Sequence, residues 1–258
     1  DGSYEIIQNY VRKDSRIRSL YQENSGISQA INNGIENSSG KYFVRIDQDD
    51  VCEPDRLLVQ KQFLDSHEEI VAVGSSALCI DSDSNPLYYI NPPTDHEEID
   101  REMINGPIRA TMVSSSVMMR RTALEKVGGC RSEFDTAEDR DLWLRFAEIG
   151  KLANISVPLV RYRLHAKSLS SSSSELQRQH CWNCITAACE RRGVPVQIED
   201  FENACRREPK HVKYRKWGWA AWNNGFGKSA RKYALRSFFL RPLSIESWRL
   251  LYFALRGH

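Results

Sequence analysis

Short apolar runs alternate with amphipathic stretches along the first two thirds of the chain. Runs rich in β-branched and aromatic residues predict strands at Arg16–Tyr21, Lys41–Asp47, Ile70–Cys79, Ser114–Arg120 and Ala153–Leu164. Apolar positions recurring every three or four residues predict helices at Tyr4–Lys13, Ile27–Asn37, Pro54–Ser66, His96–Asn105, Thr122–Val127 and Asp139–Ile149. Pro54 suits a first helical turn, where its missing N–H costs nothing. Such alternation predicts an α/β layer fold with a mostly parallel sheet. Ligands of these sheets sit beyond the carboxyl ends of the strands, and Asp47–Asp50 lie at such an end.

The segment Arg45-Ile46-Asp47-Gln48-Asp49-Asp50 packs three carboxylates into four residues behind the apolar run Tyr42-Phe43-Val44. Aspartate is a poor strand residue and repels its neighbours, so acids clustered at a strand's end point to a cation. A hard divalent ion that also grips phosphate oxygens fits; a solvated Asp-rich turn is the competing reading. Glu138-Asp139-Arg140-Asp141 opens a second apolar stretch containing Leu142, Trp143, Leu144 and Phe146. The helix macrodipole favours acids in a first turn, which accounts for one or two of these three. Two separated carboxylate clusters suit a reaction that needs a metal at one and a proton acceptor at the other.

In this order the motifs resemble family 2 glycosyltransferases of the GT-A fold. Asp1-Gly2-Ser3 is similar to the end of that family's Asp-Asp-Gly-Ser turn, and Glu23-Asn24-Ser25-Gly26 with Ala30–Gly34 to the segment before its metal strand. Arg45–Asp50 resembles the Asp-x-Asp-Asp element, Glu138-Asp139 the Glu-Asp base motif, and Tyr162-Arg163-Leu164-His165 the closing Tyr-Arg-x-His. The resemblance covers residues 1 to about 170. It implies a Rossmann-like mixed sheet flanked by helices, with the first β-α-β unit missing because the sequence starts inside the nucleotide-binding turn. It also divides the chain into a catalytic domain, 1–170, and a helical basic region, 171–258.

The resemblance further implies inverting transfer of a sugar from a nucleotide diphosphate sugar, most readily a UDP-sugar. The acceptor would be a hydroxyl of a glycan or lipid-linked molecule in surface polysaccharide synthesis. Asp139 is the expected general base, with Glu138 orienting it or shaping the acceptor side. Asp49 and His165 are the expected contacts of a Mg2+ or Mn2+ ion. Asp1, Asp47, Asp49 and Asn24 are the expected donor-binding residues, and Asp50 supports the loop. Arg45, Arg161 and Arg163 can meet phosphate or pair with nearby acids. Two other classes stay open: a nucleotidyltransferase acting on sugar phosphates, and a non-catalytic binding module of the same fold.

Composition changes this picture mainly at the C-terminal end. The chain has 258 residues and a formal net charge of +2, with no apolar run of transmembrane length. Residues 206–258 carry 13 Lys or Arg against Glu208 and Glu246, a balance of +11, and include Trp217, Trp219, Trp222 and Trp248. Two helices are predicted there: one with Ala230, Tyr233, Ala234 and Phe238 on a face, and one that Ser244 can cap, with Ile245, Trp248, Tyr252 and Leu255 at heptad-like spacing. Packing on the catalytic domain and binding to an anionic membrane surface are compatible readings. No nucleic-acid partner is expected, since no reading motif accompanies the charge. Seven scattered cysteines fit a reducing cytoplasm, and the basic aromatic tail, together with the resemblance, fits a peripheral place on the inner face of the membrane. Cys181-Trp182-Asn183-Cys184 beside His180 has zinc-knuckle spacing, yet lies in a predicted helix, Glu175–Arg192, that favours packing. Six serines in seven residues, Ser168–Ser174, read as a linker or lid.

Overall fold

The computed structural model describes residues 2–105, 110–165, 175–197 and 208–256. Asp1 and the serine-rich stretch lie outside the described residues. The sheet is built around β3 (Ile70–Ile80), whose residues are almost all buried because other elements cover both of its faces. It runs parallel to β6 (Lys151–Arg163) and antiparallel to β4 (Pro86–Ile90) and β5 (Met118–Arg120). Beyond these, β1 (Tyr42–Val44) pairs with β5 and β2 (Val51–Cys52) with β6, giving the order β1–β5–β3–β6–β2 with β4 on β3.

The mixed α/β layering is as expected, but the mostly parallel sheet is not. Among the described residues β3–β6 is the one parallel pair, and the other pairings are antiparallel. One cause is the tight turn after β3, closed by Asp81 N–H to Asn85 O at 2.9 Å and Ser84 N–H to Asp81 O at 2.9 Å. A connection that short joins only antiparallel strands.

The helices α1 (Ser3–Lys13), α2 (Ile27–Glu36), α3 (Arg56–Ser66), α4 (His96–Asn105), α5 (Arg121–Val127) and α6 (Glu138–Ala147) fall within a residue or two of expectation. No strand forms at Arg16–Tyr21, a largely exposed segment, and Ser114–Ser116 is a 3-10 turn ahead of β5. α1 buries none of its residues and leaves Tyr4, Ile6, Ile7 and Tyr10 exposed.

Gly74 in β3 is required by close packing. A Cβ there would lie 2.2 Å from Asn154 Oδ1, and Asn154 donates to Pro93 O at 2.7 Å and Thr111 O at 2.9 Å. One core cluster joins Leu152 and Ala72 of the sheet with Trp143, Leu144 and Phe146 of α6 and with α7 (Glu175–Arg192). Cys181, Cys184 and Cys189 of α7 are buried in it, and the Cys184 thiol donates to Cys181 O at 3.2 Å. The zinc-spaced pair is therefore used in helix packing.

A second core cluster joins Cys79 and Leu87 to three C-terminal helices: α8 (Lys210–Asn223), α9 (Gly227–Leu240) and α10 (Ile245–Arg256). Two of these were expected. α8 was obscured by Gly218, which lowers helix propensity but lets Leu250 approach; a Cβ there would stand 2.6 Å from Leu250 Cδ2. No helix among the described residues is long and apolar enough to cross a membrane.

Candidate active site

Both acidic motifs converge on one guanidinium. Arg45, just past the end of β1, donates from Nε to Asp47 Oδ1 and from Nη1 to Glu138 Oε1, each at 2.9 Å. Its own carbonyl is held by Arg56 Nη2 at 3.1 Å, while Arg56 Nη1 reaches Cys52 Sγ of β2 at 3.1 Å. Arg56 is fully buried at the start of α3, and burial lowers the pKa of its guanidinium. Asp47 N–H donates to Ser115 Oγ at 3.3 Å, so the 3-10 turn misread as strand supports the acidic loop.

Asp49 and Asp50 are fixed from β6. Arg163 donates its backbone N–H to Asp50 Oδ1 at 2.7 Å and its Nε to Asp49 O at 2.7 Å. Burial pushes the Asp50 carboxyl up, opposed by the hydrogen bonds from Ser115 and Arg163. Two residues on, His165 Nε2 lies 3.2 Å from Asp49 Oδ2. Arg163 Nη1 continues to Asp81 O at 2.9 Å. The fully buried Asp81 carboxylate accepts Tyr233 OH at 3.0 Å and is paired with Lys232 of α9. Burial would raise this carboxyl, but Lys232, Tyr233 and the turn amides hold it at about 2.

Glu138 and Asp139 open α6 in different surroundings. Glu138 is only 6% exposed, and burial pushes its carboxyl up to about 7, aided by the Asp139 charge and opposed by Arg45. Asp139 is half-buried and lines a small apolar pocket with Arg45, Phe43, Leu142 and Trp143. Asp141, the third acid, is fully buried between Arg131 and Arg145, the latter at 2.7 Å, and its role is structural.

The segment leading into α6 is pinned from two sides. Asp135 Oδ1 accepts Ser28 N–H in the first turn of α2 at 2.8 Å. Gly26 sits at φ +92°, where a Cβ would come within 2.5 Å of Asp135 Oδ2. His180 Nδ1 accepts Thr136 N–H at 3.2 Å. Asn24 is exposed in the segment before α2, where its carboxamide oxygen accepts Gly26 N–H at 3.4 Å. Arg161 pairs with Glu53 at 2.7 Å, so Arg45, Arg161 and Arg163 all serve protein groups here.

The donor set suits a hard ion that shares its shell with substrate. Asp49 and His165 are both partly exposed, and Asp50 Oδ2 beside them is buried with no hydrogen-bond partner. Among the described residues no group of three or more His, Cys, Asp or Glu side chains converges as a metal cage. An ion held by one or two side chains that completes its shell with phosphate oxygens and water matches this arrangement.

The family described as "Glycosyl transferase family 2" matches residues 1–128, which include the whole Arg45–Asp50 loop. The chain belongs to glycosyltransferase family 2. Among its relatives, an uncharacterized glycosyltransferase of Rickettsia prowazekii is 27% identical over 60% of this chain and 49% of its own length. An uncharacterized glycosyltransferase of Haemophilus influenzae is 26% identical over 77% of this chain and 66% of its own. The chondroitin synthase of Escherichia coli is 24% identical over 75% of this chain and 27% of its own. The chain thus spans about half the length of the first of these relatives.

Solved structures show that this family 2 chain has the GT-A fold. S. aureus TarS 1–349 in complex with UDP-GlcNAc superposes with a TM-score of 0.56 at 14% identity, covering 99% of this chain and 67% of that one. The mannosyltransferase PcManGT from Pyrobaculum calidifontis, in complex with GDP-Man and Mn2+, gives 0.50 at 17% identity, covering 98% and 66%.

Proposed function

We propose that this family 2 member is an inverting glycosyltransferase that moves a sugar from a nucleotide diphosphate sugar, a UDP-sugar first, to a hydroxyl of a glycan or lipid-linked acceptor in surface polysaccharide synthesis. The observation that carries it is the Arg45 bridge, which joins the Asp47–Asp50 loop to Glu138-Asp139 across 93 residues of chain. The UDP-GlcNAc and GDP-Man bound to the two solved neighbours support a nucleotide-sugar donor.

In this reading Asp49 and His165 hold Mg2+ or Mn2+, which when bound supplies positive charge to the departing diphosphate. Asp47, held by Arg45, contacts the donor ribose or an ordered water, Asp1 and Asn24 serve the nucleotide side, and Asp50 keeps the loop in shape. Asp139 removes the proton of the acceptor hydroxyl as its oxygen bonds to the anomeric carbon and the diphosphate leaves from the opposite face. A positioned base contributes about 10²–10⁴-fold. Glu138, clamped by Arg45, fixes the first turn of α6 and thereby orients Asp139.

Residues 1–170 form the catalytic unit in this proposal, and residues 171–258 hold it peripherally at the cytoplasmic face of a membrane. The deciding experiment incubates the protein with Mn2+ and a panel of UDP- and GDP-sugars. Nucleoside diphosphate release coupled to acceptor glycosylation is expected. Pyrophosphate release from a nucleoside triphosphate would replace this reading with a nucleotidyltransferase, and nucleotide binding without turnover would replace it with a binding module.

A further inference from the structure

The tip of the last helical hairpin is apolar and exposed. α9 ends at Leu240 and α10 begins at Ile245, with Pro242 and Leu243 in the turn between them. Leu243 is 98% exposed, Ile245 80%, Phe239 75% and Trp248 54%. The Trp248 ring meets Phe238 edge-on at a centroid distance of 4.6 Å, and its indole N–H donates to Pro242 O at 2.8 Å. The turn is thus held from within while its aliphatic groups face outward. On the inner side of the same hairpin, Ala230, Tyr233, Ala234, Leu250 and Ala254 are spent in the core shared with Leu87, so the tip is surplus to folding.

The charge around this tip is predominantly positive. Arg241 lies in the turn, Arg236 one helical turn before Leu240, and Arg249 directly after Trp248, all exposed. From Lys228 to Arg256 the only acid is Glu246, against seven Lys or Arg. Contiguous exposed apolar surface marks an interaction site. A second copy would bring one set of arginines against another, which disfavours self-association through this face. Arginines flanking a tryptophan and bare aliphatic groups instead complement the boundary between anionic headgroups and acyl chains.

We propose that the α9–α10 tip is a membrane-docking element. Phe239, Leu240, Leu243, Ile245 and Trp248 enter the headgroup–acyl boundary of an anionic bilayer, while Arg236, Arg241 and Arg249 pair with its phosphates. This deepens the peripheral location proposed above by naming the surface and the lipid charge it reads. It requires no sugar transfer.

The test is flotation of the full chain with vesicles of phosphatidylcholine alone or with about a third phosphatidylglycerol. Binding to the anionic vesicles is expected to exceed binding to the neutral ones at least about tenfold, and to fall with salt. Leu243→Glu with Ile245→Glu changes two exposed side chains and should abolish flotation while leaving thermal stability unchanged. Arg241→Gln with Arg249→Gln should weaken it about 30-fold, at about 1 kcal/mol for each charge near the surface. Equal binding to both vesicles, no binding, or undiminished binding by the Glu variant overturns the inference. So does a dimer of the native chain that the Glu variant dissolves. Nucleotide release measured on the same samples separates the two proposals: turnover without flotation removes only the docking tip, and flotation without turnover removes only the transferase reading.

Discussion

Arg45 Nη1 donates to the buried Glu138 Oε1 at 2.9 Å, while Nε of the same guanidinium holds Asp47 at 2.9 Å. One cation therefore sets the separation between the acidic loop after β1 and the first turn of α6. Truncating Arg45 to Met would leave Glu138 buried without its partner. Breaking one side of a buried pair costs about 3–5 kcal/mol, whereas replacing both sides with apolar groups is often neutral. Arg45→Met should therefore lower the unfolding free energy by about 3 kcal/mol in urea titration, and the Arg45→Met, Glu138→Leu pair should recover much of it. Equal losses in both proteins would mean that Glu138 left without Arg45 carries no burial cost.

Glu138 makes this centre pH-sensitive. Its carboxyl titrates near 7 in the folded chain against an ordinary 4.5, so between those values the folded state binds more protons than the unfolded chain. Stability from this group is greatest at low pH and falls as pH rises towards 7. Thermal unfolding from pH 5 to 8 should show the native protein losing stability relative to Glu138→Gln, by on the order of 1 kcal/mol or more. Parallel curves would contradict the raised pKa.

The Asp49–His165 pair predicts linkage between metal and nucleotide. UDP with Mn2+ should raise the melting temperature; a ligand at 100 times its Kd stabilises by about 2.7 kcal/mol. Asp49→Ala should remove that shift. His165→Ala and Arg163→Lys should weaken it, the latter because a lysine cannot serve Asp49 O, Asp81 O and Ser84 Oγ together. An undiminished shift in Asp49→Ala would place the ion elsewhere.

Lys232 ties α9 to the same neighbourhood through Asp81, which also accepts Asn85 and Asp83 amides at 2.9 Å. Lys232→Met should destabilise the chain by about 3 kcal/mol, the lower end for breaking such a pair because Lys232 keeps some exposure. The low Asp81 pKa gives stability that is present above its ordinary value near 3.8 and lost as pH falls towards 2. The stability gap between the native protein and Asp81→Asn should therefore narrow as pH falls from 3.8 towards 2, and a gap that stays constant over that range would contradict the low pKa.

Much of this was legible in the residues. The periodicities of α2, α4, α5 and α6 gave those helices because their apolar residues face the core, whereas α3 buries Arg56, Gln60 and Leu64 and leaves Leu57 and Leu58 exposed; the acid clusters stood out against apolar neighbours. The signals that failed were those decided at a distance. Val51-Cys52 is too short to show a period, and becomes strand through its pairing with Val160 and Arg161. Ser114–Ser116 looked like an extension of β5, yet its hydroxyls bend it into a turn under Asp47 and beside Ser75. Arg45, Arg161 and Arg163 were equally suited to phosphate or to nearby acids; the three-dimensional neighbours chose acids for Arg45 and Arg161, and main-chain carbonyls with Ser84 for the Arg163 guanidinium. Arg56 and Asp135 had no local pattern to mark them, and His180 stood out only beside the zinc-spaced cysteines, whereas its ring in fact meets Thr136.

The central claim is that one centre contains both an ion-and-diphosphate end at Asp49 and a proton-accepting end at Asp139. It is tested most directly by measuring sugar transfer and Mn2+–UDP binding side by side in two variants. Asp49→Ala should lose both. Asp139→Asn should bind Mn2+–UDP as the native protein does and transfer sugar about 10²–10⁴-fold more slowly. Transfer at the native rate by Asp139→Asn would contradict the account.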